Sequence, residues 1–152
     1  MANTYSQLYI HLVFTPKGRS NVISQKWKEE LYKYIAGIIR NEKQKMYIIN
    51  GMADHIHILV SIRPHISVSA LVRDIKANSS RFINEKKFTG GKFQWQEGFG
   101  SFSVSHSQLQ NVVAYIKNRE DHHKKKTFKE EYMEFLKSYE IEYKEEYLFE
   151  WI

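Results

Sequence analysis

Apolar and polar residues alternate with a period of two in several stretches of this chain and recur at helical spacing in others. Tyr5 to Phe14 reads as a first strand, with Leu8, Ile10, Leu12 and Phe14 on one face and Tyr9, His11 and Val13 on the other. Pro16 and Gly18 end it. Ser24 offers a cap to a helix carrying Trp27, Leu31, Tyr34, Ile35 and Ile38 on one stripe. "KMYIIN" then predicts a second strand, Asn50-Gly51 a turn and "HIHILVSI" a third strand, a hairpin with a somewhat long loop. Pro64 closes that strand. A second helix is predicted over about Val68 to Asn84, with Val68, Val72, Ile75 and Phe82 as its apolar stripe. "KKFTGGKFQWQEGFG" is a glycine-punctuated aromatic loop, and "SFSVSHS" a fourth strand with Phe102 and Val104 between serines. Ser107 with Gln110 forms a capping box for a third helix, whose core stripe is Leu109, Val112, Val113 and Ile116. Thr127 with Glu130 forms another for a last helix, "TFKEEYMEFLKSY".

The order strand, helix, strand, strand, helix, strand predicts an α+β fold. It is the split βαβ arrangement of ferredoxin-like and RNA-recognition (RRM-like) folds, an antiparallel sheet with helices on one face, followed by C-terminal helices. The other face is expected to be left for function. Ile56, Ile58, Val60 and Ile62 take the core side of the third strand, so His55 and His57 should point to the open side.

At 152 residues the chain suits a single domain, 1–152, able to bury its own core. It lacks cysteine, which excludes disulfides and thiolate metal sites and is compatible with an intracellular location. The start, "MANTYSQLYIHLVF", does not look like a signal peptide, and no apolar run approaches membrane-spanning length. A formal charge of +6 suits a phosphate-rich partner, although a basic surface also serves solubility.

Two imidazoles two residues apart on a strand can offer two nitrogens to one divalent ion, and imidazole suits zinc, manganese, nickel or cobalt. His-x-His alone is a weak signal and reads first as two polar histidines facing water or a partner. On the third helix, Tyr115, Arg119 and His122 share the flank of the core stripe at spacings of four and seven. Tyr115 there is either a core-edge tyrosine with its hydroxyl towards water or a phenolic nucleophile presented to a phosphate.

Five motifs in order carry a family resemblance: "YSQLYIHLVFTPKGR", "INGMADHIHILVS", "LVRDIKANSSRFIN", "FQWQEGFGSFSVSHSQ" and "YIKNREDHHKKKTFKEEY". The chain resembles the TnpA-type, single-tyrosine HUH transposases of small bacterial insertion sequences (the IS200-like family). HUH denotes histidine, hydrophobic residue, histidine, here His55-Ile56-His57. The resemblance implies a metal-dependent enzyme that nicks and rejoins single-stranded DNA through a 5′-phosphotyrosine on Tyr115, without ATP. It implies a divalent metal, Mg2+ or Mn2+, on His55 and His57, terminal DNA hairpins as substrate, a homodimer, and a bacterial cytoplasmic, DNA-associated location. The serine-rich strand could pair along its edge with a partner subunit. One departure stands out. The family usually carries glutamine four residues after the tyrosine as a third ligand, and this chain has Arg119, which has no lone pair to donate. Asn118, His122 or water are the alternatives for that ligand. Arg119 would then contact a DNA phosphate, or mark a copy that binds DNA but cleaves poorly.

Arg73, Lys76, Ser80 and Asn84 share the polar face of the second helix and form a candidate phosphate-tracking surface, with Lys17 and Arg19 as lesser candidates. Phe93, Trp95 and Phe99 read as core residues before base-stacking ones, and "HHKKK" as a source of nonspecific attraction. His11, His65 and His106 read as ordinary polar residues. The rival functions are a catalytically weak or domesticated module that binds single-stranded nucleic acid, and a histidine-based hydrolase of small phosphoesters.

Overall fold

A computed structural model describes residues 4–18, 22–118 and 126–151. Four strands form one antiparallel sheet: β1 (Tyr9–Phe14), β2 (Lys45–Met52), β3 (His55–Ser61) and β4 (Gly100–Val104), in the spatial order β2-β3-β1-β4. The helices are α1 (Lys28–Asn41), α2 (Val68–Lys86), α3 (Leu109–Lys117) and α4 (Phe128–Ser138). This is the expected split βαβ fold, with α1 and α2 as the two crossovers.

The alternation in β3 sorts its side chains as anticipated. Ile56, Ile58 and Val60 join Leu12 and Phe14 of β1 against Leu31, Ile35 and Ile39 of α1 and Leu71, Val72 and Ile75 of α2. Each such fully buried aliphatic contributes about 1.5–3 kcal/mol of transfer free energy, so register is strongly held. A one-residue slip of β3 would bring His55 and His57 into the aliphatic layer.

The second face is not open. Leu109 and Ile116 of α3 pack with Tyr9, Leu59 and Val104 there, and α4 lies over the histidines. Sequence periodicity could not show this, because the contacts join elements far apart in the chain. β4 buries Gly100, Phe102 and Val104 on this second face and exposes Ser101 and Ser103 on the other.

Several boundaries differ from expectation. The first strand begins at Tyr9, four residues later than its alternation suggested. The hairpin turn is Ala53-Asp54, and Asn50 and Gly51 lie inside β2 opposite His57 and Ile56. A Cβ on Gly51 would stand 2.8 Å from the Ile56 Cα and closer still to the His55 carbonyl oxygen. Glycine is therefore needed there for strand contact, not for a turn. The Ser107–Gln110 box does not form, since a 3-10 turn, His106–Gln108, precedes α3 and Gln108 makes no side-chain cap. Ser24 accepts from the Lys26 N–H in the turn before α1. The Thr127–Glu130 box is present in full, and Ser67 caps α2 by accepting from Ala70.

Candidate active site

His55 and His57 project from β3 away from the aliphatic layer, and both are 0% exposed. Their δ nitrogens are engaged from outside the pair. His55 Nδ1 lies 2.7 Å from Asp54 Oδ1, and His57 Nδ1 lies 2.8 Å from Nε2 of His11, a buried neighbour on β1. From the opposite side, Glu131 of α4 places Oε1 3.1 Å from His57 Nε2. One ligand atom from each of His55, His57 and Glu131 fits within a 4.8 Å span. Phe128, at the start of α4, stacks flat on His55 with ring centres 4.1 Å apart.

Tyr115 comes to the same place from α3. Its half-buried ring is 6.0 Å from the His57 ring, 6.5 Å from His11 and 5.8 Å from Phe135 of α4. Asn50 of β2 holds the end of this helix, its amide donating to the carbonyls of Ile116 (3.0 Å) and Lys117 (3.2 Å). α3 has only nine residues, and this tie satisfies two of its terminal carbonyls.

The donor set fits a divalent metal. Two imidazoles and a carboxylate, all buried, are ligands that manganese and zinc accept readily. Outer partners on both δ nitrogens match the way ligating histidines are held, which makes Nε2 the atom each would offer. Of the residues expected to complete the ligand set after Tyr115, Asn118 is exposed at the end of α3, and Arg119 and His122 lie outside the described residues. Among the described residues, Glu131 is the carboxylate grouped with the two histidines. Sequence reasoning missed Glu131 and His11. Glu131 sits one place after the Glu130 of the capping box, and nothing in the local pattern sets it apart. His11 differs from an ordinary strand histidine only in sharing a face with His57 across the β1–β3 pairing.

The proposed phosphate-tracking residues Arg73, Lys76 and Ser80 line one groove of about 1080 Å³ between α2 and the loop before β4, together with Lys17, Arg81 and Lys92. Lys76 also braces that loop, donating to the Gln96 carbonyl at 2.8 Å and to the Gly98 carbonyl. Burial pushes its ammonium down to about 8. Arg19 lies outside the described residues. Phe93 and Trp95 are core residues, and the Trp95 indole N–H donates to Ser79 at 2.9 Å. No described helix is long and apolar enough to cross a membrane.

Comparison with known proteins places this fold among the tyrosine transposases. A solved candidate transposase from Deinococcus radiodurans R1 aligns with a TM-score of 0.61 and 20% identity, over 77% of this chain and 94% of that one. A REP-associated tyrosine transposase bound to a REP hairpin aligns at 0.57 and 14% identity, over 75% of this chain and 67% of that one. At these identities the likeness is one of fold. A family model described as transposase IS200 like matches residues 4–119, and the chain belongs to that family. It is 25% identical over 121 residues to the ISDra2 transposase TnpA of Deinococcus radiodurans, covering 76% of this chain and 86% of the relative.

Proposed function

We propose that this transposase nicks and rejoins single-stranded DNA, with Tyr115 as nucleophile and His55 and His57 as the pair that would hold a divalent metal. The observation that carries this reading is the meeting of the Tyr115 ring with the His57 ring, 6.0 Å apart, from elements distant in sequence. The Tyr115 oxygen would form a bond to the scissile phosphorus as the bond to the 3′ oxygen breaks. The phenol loses its proton and the departing 3′ oxygen gains one. The phosphate stays on Tyr115 as a 5′-phosphotyrosine, and attack by a 3′ hydroxyl reverses the exchange without ATP. When bound, a divalent metal supplies Lewis-acid polarisation of the phosphate and stabilises the leaving oxygen. His11 and Asp54 orient the imidazoles, and Asn50 fixes the end of the helix that presents the phenol. The basic groove along α2 is the proposed track for DNA, and the hairpin-bound neighbour of the same fold supports a hairpin as its ligand. The outer edge of β4 is where a second subunit would pair.

The competing reading is a module that binds single-stranded DNA without cutting it. Complete burial of the histidine pair, with arginine at 119, favours it. A labelled single-stranded hairpin oligonucleotide, incubated with Mg2+ or Mn2+, decides between them. Nicking predicts a covalent protein–DNA adduct that disappears in Tyr115→Phe. Binding with no adduct at any metal concentration supports the module. Hydrolysis of a small phosphoester that survives Tyr115→Phe would overturn both.

A further inference from the structure

The histidine pair is buried by an element beyond the matched family region. Residues 4–119 carry the family match, whereas Glu131 and Phe128 belong to α4, which follows it. α4 is docked firmly. Phe128, Tyr132 and Leu136 are buried, and the chain end folds back over the helix, with Phe149 5.0 Å from Tyr132 and Trp151 5.7 Å from Phe128. Gln96 clamps that end through a paired contact. Its amide donates to the Glu150 carbonyl at 2.7 Å, and the Glu150 N–H donates back at 2.7 Å.

We propose that α4 is a metal-latched cap: Glu131 is the third ligand of a divalent cation held by His55 and His57, and in that closed state it blocks a DNA phosphate from the site. Three observations converge. The three donor atoms already lie within 4.8 Å. The carboxylate comes from a helix whose Phe128 lies flat on the His55 ring, so ligation would reinforce the closure that packing already provides. Both histidines are fully buried, with Phe128 of α4 on His55 and Glu131 and Phe135 of α4 beside His57, so lifting the helix would uncover part of the pair to a phosphodiester. An ordinary buried ion pair between Glu131 and His57 is the rival account. It requires neither the outer partner on His55 nor the approach of both imidazoles to one carboxylate.

The cap rests on the metal-site half of the proposed function and is independent of whether Tyr115 cleaves. The test is Mn2+ titration of the full chain by electron paramagnetic resonance, with hydrogen exchange of residues 128–138 followed with and without Mn2+. Wild type should bind Mn2+ and slow exchange across the helix about tenfold or more. Glu131→Ala should bind Mn2+ at least about tenfold more weakly and lose that protection, while Glu131→Gln, which keeps an oxygen donor, falls between. Thermal melting in chelator confirms that each variant is folded. In the uncleaving Tyr115→Phe protein, adding single-stranded DNA with Mn2+ should restore fast exchange in 128–138. Equal Mn2+ affinity in wild type and Glu131→Ala, or exchange that ignores the metal, overturns the proposal. A missing DNA adduct with the Mn2+ response intact would sink the nicking reading and leave the cap standing.

Discussion

A single side chain, His11, would set how His57 is held toward a metal on the proposed site. His11 Nε2 is 2.8 Å from His57 Nδ1, and for His57 to offer Nε2 its proton must sit on Nδ1 and be donated to His11. A phenylalanine at 11 keeps the ring contacts with Phe102 and Phe135 and removes the acceptor. His11→Phe should therefore weaken Mn2+ binding about 10- to 100-fold with little change in fold, as measured by calorimetry and far-ultraviolet circular dichroism. Unchanged affinity would show that His11 only fills space. His11 illustrates the limit of reading residues one at a time. His55 and His57 are conspicuous because they are neighbours in sequence. His11 is 46 positions from its partner, and its role exists only once β1 and β3 are paired in register. Glu131 was hidden for the same reason, since its position depends on where α4 docks.

At the level of elements, the strand and helix order could be read from periodicity because each segment's apolar face reflects a local repeat. Turn chemistry was less transparent. Asn50-Gly51 has the composition of a hairpin turn, yet Asn50 is spent on the end of α3 and Gly51 on the close passage of β3. This glycine sits where the backbone of β3 crowds it. Gly51→Ala must push the His55 carbonyl and the Ile56 Cα away. Overpacking against backbone typically costs about 1–3 kcal/mol, and here the displaced residue is a proposed ligand. The variant should melt at lower temperature and bind Mn2+ more weakly. A variant with wild-type melting and affinity would mean that the hairpin yields without moving His55.

At the scale of the whole molecule, several basic side chains of the described residues share one groove, which Glu85 and Glu97 also line. The net charge of +6 suggested a phosphate-rich partner without saying where it lies, since charge totals carry no position. Folding brings Lys17, from the loop after β1, beside Arg73 and Arg81 of α2 and Lys92 of the loop before β4, which local sequence could only partly group. Lys76 is committed to loop carbonyls, and on the proposed track Arg73 and Lys92 are groove cations that would replace counterions on DNA. Each phosphate neutralised contributes about 0.7–0.9 to the slope of log affinity against log salt. Removing two such contacts in Arg73→Ala with Lys92→Ala should lower that slope by about 1.4–1.8 and weaken hairpin binding most at low salt. Lys45→Ala, on the outer strand β2, removes one charge away from the groove and should leave the slope nearly unchanged. Fluorescence anisotropy of a labelled hairpin over a salt series measures all three proteins directly. If the double variant keeps the wild-type slope, the DNA follows another surface. If Lys45→Ala lowers it by half as much as the double variant, binding answers to total charge and the groove has no special claim.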